Sequence, residues 1–218
     1  MRIVCLSDTH NLHRQVEVPD GDVMVHAGDL TLSGSVAEVR DFAQWLRGLP
    51  HPNKVVIAGN HDWLFERDPD QARRLLGDVA YLQDGGVEIG GLRFWGSPWQ
   101  PWFLSWAFNL PRGRALREKW AQIPDDTDVL ITHGPPHGLH DRVGKAFPRV
   151  VSAVMGHGEH AGCRDLLGAV SRIAPRLHVF GHIHEGYGST RCGRTLHANV
   201  SICDAAYRPS NAAVVVEL

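Results

Sequence analysis

Seven short runs rich in Val and Ile set the frame of this chain: RIVCLS, DVMVHA, KVVIAG, LRFWGS, DVLITHG, LHVFGH and AAVVVEL. They are too short for helices and have the composition of buried strands. Helical patterns lie between several of them. Ser35–Leu49 opens on a serine cap and places Val39, Phe42, Ala43 and Leu46 on one face. Pro69–Leu76 begins with proline after Asp68. Arg112–Ala121 and Gly162–Ala174 are two further helical segments. Strands alternating with helices predict an α/β fold. In YLQDGGVEIGGLRFWG two short strands flank Gly90-Gly91, a hairpin signal that makes the sheet mixed. His137–His160 is rich in Gly, Pro and His and reads as a long loop.

The 218 residues are read as a single domain over 1–218, and 43% apolar composition supports a substantial core. A net charge of −2 excludes a generally basic surface and argues against a nucleic-acid polymer as partner. The four cysteines form no CxxC pair, and Cys5, inside the first apolar run, reads as a buried thiol. MRIVCLSDTH is too short in apolar residues for a signal-peptide core, and no run approaches the roughly 20 apolar residues of a membrane span. The expectation is a soluble, cytoplasmic protein with no membrane partner. Oligomeric state is not encoded in any feature of the sequence.

The residues just beyond the apolar runs are more specific. Asp8-Thr9-His10 comes after the first, Gly28-Asp29 after the second, Gly59-Asn60-His61-Asp62 after the third, His133-Gly134 after the fifth and Gly181-His182-Ile183-His184 after the sixth. Ligands of open α/β sheets bind at the carboxyl ends of strands, so these groups are expected to converge on one edge of the sheet. Asp8, Asp29, Asn60, His10, His133, His182 and His184 supply oxygen and nitrogen donors without sulfur, which suits Mn, Fe or Zn. Seven donors exceed one ion, and two divalent ions sharing a carboxylate are the natural solution. In an extended segment residues i and i+2 point the same way, which would aim both side chains of Asp8-x-His10 and His182-x-His184 at the metals, with glycines turning the backbone away.

In this order the motifs D-x-H, G-D, G-N-H-D, H and G-H-x-H resemble the calcineurin-like metallophosphoesterase superfamily, over nearly the whole chain. HAGDLTLSG, VVIAGNHD, GSPWQPWF, FNLPRG, THGPP and LHVFGHIHEGYG are similar to the metallophosphoesterase-domain-containing branch, which resembles the class III cyclic nucleotide phosphodiesterases. The resemblance implies a layered mixed β-sheet sandwich flanked by helices. It implies that Asp8, His10 and His184 bind one metal, Asn60, His133 and His182 the other, and that Asp29 bridges them. His182 stands where some vertebrate relatives carry glycine. Arg142–His160 looks expanded relative to those relatives.

The implied reaction is hydrolysis of small phosphodiesters, cyclic nucleotides among them, by a hydroxide generated on two divalent ions, Mn²⁺ first and Fe or Zn as alternatives. The catalytic residues are then His61, facing the substrate as general acid, and Asp62, expected to orient its ring. Asn60, His61, Trp99 and Trp102 are the expected substrate contacts, the tryptophans because a loop aromatic beside a phosphate site can stack on a base. Arg112 and Arg114 are expected on the solvated surface. Two alternatives remain open: an AMP- or GMP-binding regulator with low turnover, and a phosphomonoesterase. GDLTLSG lacks the arginine that phosphatases of the superfamily carry after this aspartate. His26 is expected in the core or behind the ligands. His13, His51, His137, His140, His157, His160, His178 and His197 receive no ligand role. Glu185 is expected either to orient a ligand histidine or to cap its turn.

Overall fold

The computed structural model describes residues 1–144 and 160–218, so that His157 and most of the expected Arg142–His160 loop lie outside the described residues. Two sheets face one another. In the first, β1 (Arg2–Leu6), β2 (Val23–Ala27), β3 (Asn53–Ile57) and β4 (Ala80–Tyr81) run parallel. In the second, β5 (Gly85–Ile89) and β6 (Leu92–Ser97) form the Gly90-Gly91 hairpin, and both glycines have the positive φ that such a turn requires. A two-residue ladder joins β7 (Gln100–Pro101) to β8 (Asn109–Leu110) inside the tryptophan-rich segment. β9 (Val129–Thr132) and β10 (Leu177–Phe180) continue the second sheet in parallel with β6.

β11 (Gly188–Cys192) and β12 (Thr195–Asn199) complete that sheet and are additions to the seven runs of the sequence. β11 is a polar, exposed edge strand, so it carries no apolar run to read. The last strand, β13 (Val214–Glu217), returns antiparallel to β1, giving the order β13-β1-β2-β3-β4 against β11-β12-β10-β9-β6-β5.

Period-2 alternation explains the layers. Ile3, Cys5, Val25, Val55 and Ile57 point inward from the first sheet and meet Phe94, Ile131 and Val179 from the second. The alternate residues Leu6, Met24 and Val56 face outward, against helices α1 (Val36–Gly48) and α3 (Pro69–Leu76). Leu130 and Trp95 face outward on the other side, under α4 (Arg114–Trp120) and α5 (Arg164–Ile173). The result is a helix–sheet–sheet–helix sandwich. Cys5 is fully buried in it, with its thiol pushed up to about 12 by burial.

Helix starts follow their caps. Ser35 and Glu38 form a reciprocal capping box on α1, and Asp68 accepts from the Gln71 N–H ahead of α3. α4 begins two residues later than its pattern suggests, because Gly113 sits at φ 89 and interrupts the turn. The short α2 (Trp63–Arg67) has no periodicity to announce it. Among the described residues no helix is long and apolar enough to cross a membrane.

Candidate metal centre

The five polar groups expected on one sheet edge are divided between two sheets. Asp8, His10, Asp29 and Asn60 follow β1, β2 and β3, whereas His133, His182 and His184 follow β9 and β10. They meet because the sheets are joined at this end: the Ser7 N–H donates to Val200 O at 3.0 Å and Ser7 bridges to Ser201. Six of the seven expected ligands are buried, and His182 is partly so.

Two overlapping sets of ligand atoms result. His184 Nε2 lies 3.4 Å from Asp8 Oδ1 and 3.2 Å from His10 Nε2, and His10 Nε2 lies 3.9 Å from Asp8 Oδ1. On the other side His133 Nε2 is 2.8 Å from Asn60 Oδ1, and the His133 and His182 ring centroids are 5.0 Å apart. Asp29 Oδ2 stands between the two, 3.7 Å from His10 Nε2 and 3.4 Å from His133 Nε2. Asp8–His10–His184 and Asp29–His133–His182 each bring one ligand atom per residue within 4.8 Å of the others, and His10–Asp29–His61 does the same.

The backbone that delivers these side chains is not extended, contrary to the reading of the i, i+2 spacings. Asp8 (φ 53), His10 (φ 41), Asp29 (φ 54) and His182 (φ 69) all lie in the left-handed region, and His184 starts a short 3-10 turn. Four non-glycine ligand positions in a conformation that is costly for L-residues place stored strain at the site itself. The glycines also act differently from expected at two positions. A Cβ on Gly59 would collide with Asp29 and His133, and one on Gly181 with Asp8 and Ser7. Close approach, rather than turning, excludes a side chain there.

Backbone carbonyls fix the imidazoles. Nδ1–H of His133 donates to Ala27 O at 3.0 Å, that of His184 to Asp204 O at 3.0 Å and that of His61 to Leu32 O at 2.7 Å. Each Nε2 is thereby left for the centre, which is how metal-ligating histidines are normally held. Asp8 accepts from the hydroxyls of Ser7 and Ser201 and from the His182 N–H. Asp29 Oδ1 accepts the His61 N–H at 2.8 Å, leaving Oδ2 free to face inward.

The charges reflect this crowding. Burial opposes ionisation of Asp8, but His184 and the other nearby imidazoles hold its carboxyl well below the usual range. Asp29 is likewise lowered against burial, chiefly by His133. Burial works against charge on His133 and His184, yet Asp29 raises the first and Asp8 the second, each to about 9. Burial pushes His10 down to about 4 and His182 down to about 3. The donor set fits divalent metal: carboxylate oxygens and imidazole Nε2 atoms converge within ligand distance of one another.

Asp62 departs from its expected role. It accepts from the N–H groups of Leu30 (3.1 Å), Thr31 (3.0 Å) and Gly59 (2.8 Å) and from the Thr31 hydroxyl (2.7 Å). It therefore ties the loop after β2 to the loop after β3 and makes no hydrogen bond to the His61 ring. Burial and the Asp29 charge push its carboxyl up to about 6. The His61 ring is held instead by Leu32 O and by Trp106, whose centroid is 4.3 Å away.

The cluster opens into a cavity of about 240 Å³ lined by Asp29, Asn60, His61 and His182 and walled by Phe103, Trp106 and Tyr207 among others. Trp99 and Trp102 are not among its lining residues. Trp99 packs on Phe108 under the Lys119 ammonium and donates to Asp84 at 2.8 Å. Trp102 is 58% exposed and donates to Leu104 O. Trp102 turns outward while the next residue, Phe103, lines the pocket, and no sequence signal marks that step. Arg112 is exposed, as expected, and also lines the cavity mouth, with its guanidinium donating to Gly162 O and Ala161 O. Glu185 neither orients a ligand nor caps the turn by a side-chain bond. It accepts the Gly144 N–H at 3.0 Å, and Asp204, which no sequence motif singles out, orients His184.

Several of the other described histidines have partners away from the centre. His26 packs on Phe42 and pairs with the Thr9 hydroxyl, and His178 pairs with Thr132 beside His197. His160 donates to Asp141 at 2.6 Å.

Comparison with known proteins matches residues 1–186 to the calcineurin-like phosphoesterase family. The chain is 44% identical to human metallophosphoesterase domain-containing protein 1, over all of this chain and 71% of that protein. It is 40% identical to a UPF0046 protein of Caenorhabditis elegans, over 94% of this chain and 70% of the relative. Among solved structures, TT1561 of Thermus thermophilus superposes with TM-score 0.59 at 13% identity, covering 91% of this chain and 88% of that one. The phosphopantetheinyl hydrolase of Mycobacterium tuberculosis superposes with TM-score 0.58 at 16% identity, covering 97% and 95%. The two solved structures share the layered fold, and the sequence match carries the assignment: this chain belongs to the calcineurin-like phosphoesterase family, in the branch of the metallophosphoesterase-domain-containing proteins.

Proposed function

We propose that this chain, acting as one domain over 1–218, is a two-metal phosphodiesterase for small phosphodiesters, nucleotides among them. Asp8, His10 and His184 would hold one divalent ion, and Asn60, His133 and His182 the other, with Asp29 shared. Mn²⁺ is the first choice for this sulfur-free donor set, and Fe or Zn also suits it. When bound, such ions neutralise phosphate charge and make hydroxide accessible near neutral pH.

The residues of the chain supply the rest. His61 donates from Nδ1 to Leu32 O, which fixes the ring and turns Nε2 toward Asp29 and the cavity. A protonated Nε2 there is placed to give its proton to a departing alkoxide, a role worth about 10²–10⁴ in rate. Trp106 packs against the same ring and keeps it from rotating away.

The observation that carries the diester reading is the pocket wall. Pro101, Phe103, Trp106, Ile183 and Tyr207 make it mainly apolar. Arg112, the one Lys or Arg side chain that lines it among the described residues, donates to two backbone carbonyls. The apolar faces of this wall match a second ester group, whereas the second charge of a monoester dianion would be partly desolvated against them. The test is hydrolysis of bis-p-nitrophenyl phosphate against p-nitrophenyl phosphate by the Mn²⁺-loaded protein. A higher kcat/KM for the diester is expected. Preference for the monoester makes the protein a phosphatase, and saturable AMP binding without turnover makes it a regulator.

A further inference from the structure

Neither the ligand set nor His61 accounts for Tyr207. It lies in the turn after β12, with its backbone at φ 58, a conformation in which a bulky non-glycine residue is an outlier. The turn enforces this. The Tyr207 N–H donates to Asp204 O at 2.8 Å, and the Asp204 N–H donates to Arg208 O at 2.8 Å. The Asp204 carboxylate accepts from the N–H groups of Ala206 and Arg208 and from the Arg208 guanidinium. The same Asp204 carbonyl receives Nδ1–H of His184. One peptide oxygen thus fixes both a candidate ligand and the tyrosine above it.

The Tyr207 ring centroid stands 4.8 Å from that of His10, 5.1 Å from His184 and 6.3 Å from His61. The ring belongs to none of the hydrophobic clusters of the core and is 45% exposed, and it lines the cavity. Among the described residues its hydroxyl has no hydrogen-bond partner. Packing therefore does not explain a large ring held in a strained turn against the solvent side of three imidazoles. Occupation of the cavity by a ligand does.

We propose that Tyr207 is a specificity-determining residue: its ring is the wall, on the Asp8–His10–His184 side, against which the organic group of the substrate packs. The site then favours phosphoesters whose ester group is flat and aromatic over those with a small alkyl group. This rests on the phosphoesterase reading and adds to it the chemistry of the ester group.

The test is calorimetric binding of methyl(phenyl)phosphinate and dimethylphosphinate, singly charged diester mimics, to the Mn²⁺-loaded full chain, which needs no turnover. The wild type and Tyr207→Phe are expected to bind the phenyl probe more tightly than the methyl probe. Tyr207→Ala is expected to lose about 3- to 10-fold in affinity for methyl(phenyl)phosphinate, with dimethylphosphinate binding and metal content unchanged. Tyr207→Asn, whose side chain tolerates the left-handed backbone, is expected to behave as the alanine variant does and serves if that one does not fold. Unchanged discrimination in these variants overturns the proposal and leaves the phosphoesterase reading intact. Equal loss for both probes also overturns it, because the ring would then be supporting the ligands. Failure of the wild type to bind either phosphinate overturns the phosphoesterase reading and this proposal together.

Discussion

Asp29 Oδ2 faces His133 at 3.4 Å and His10 at 3.7 Å, so it adjoins both halves of the cluster. Asp29→Ala is expected to lose bound metal and nearly all activity, as read by metal analysis and turnover together. Near-normal turnover would rule out a shared carboxylate. His61→Ala should keep its metal content and lose about 10²–10⁴ in rate on esters with poor leaving groups. An equal loss on activated aryl esters would argue against proton donation. Asp62 calls for a different measurement. Four buried donors lose their acceptor in Asp62→Ala, which should cost more than about 2 kcal/mol in urea unfolding. A variant of full stability would show that water replaces the carboxylate. The ligand types are legible residue by residue, because Asp, Asn and His after buried strands have few other reasons to recur. The partner of Asp62 is not legible, since it depends on a loop 32 residues away in sequence.

Among the elements, α1 and the loop before it act on the site through Glu38. That carboxylate accepts from Asn11 Nδ2, the Leu32, Ser33 and Ser35 N–H groups and two serine hydroxyls. It shapes the loop whose Leu32 carbonyl holds His61. Burial opposes its ionisation, but hydrogen bonds from Ser33, Asn11 and Ser35 lower its pKa from 4.5 to about 2. A depressed carboxyl stabilises the fold above its unfolded value, so this contribution is complete above pH 4.5 and is lost as pH falls through about 2. Glu38→Ala should flatten the stability profile across that window, and acid titration of both proteins followed by circular dichroism reads the difference. Gly59→Ala places a methyl group against Asp29 and His133 and should cost about 1–3 kcal/mol together with metal affinity. Caps and apolar periodicity make α1, α3 and the inner strands legible. Exposed β11 and five-residue α2 carry neither signal, and only the structure reveals them.

For the molecule as a whole, the acid limb of stability belongs to buried histidines. Burial holds His26 neutral and lowers its pKa from 6.5 to about 3, and burial beside His197 lowers that of His178 well below 6.5. The unfolded chain takes up these protons below pH 6.5 while the folded chain refuses them, so stability falls as pH drops from 6.5 toward 3. His178→Phe should lessen that fall; an unchanged slope would remove His178 as a contributor. Divalent metal bound only by the folded state should raise Tm, with about 2.7 kcal/mol gained at a hundredfold excess over Kd. A chelator that leaves Tm unaltered would mean that the donors do not hold metal.

By itself the sequence determined the inventory: which strands are buried, which caps begin the main helices, and which oxygen- and nitrogen-bearing side chains stand at strand ends. These are local matters, set by periodicity of 2 or 3.6 and by the chemistry of neighbouring residues. Only the tertiary structure decided that two sheets share the ligands, that left-handed backbone rather than extended chain aims them, and that Trp106 and Tyr207 reach the pocket where Trp99 and Trp102 do not. Each of those outcomes depends on contacts between segments far apart in the chain, and no local pattern records which distant atoms will meet.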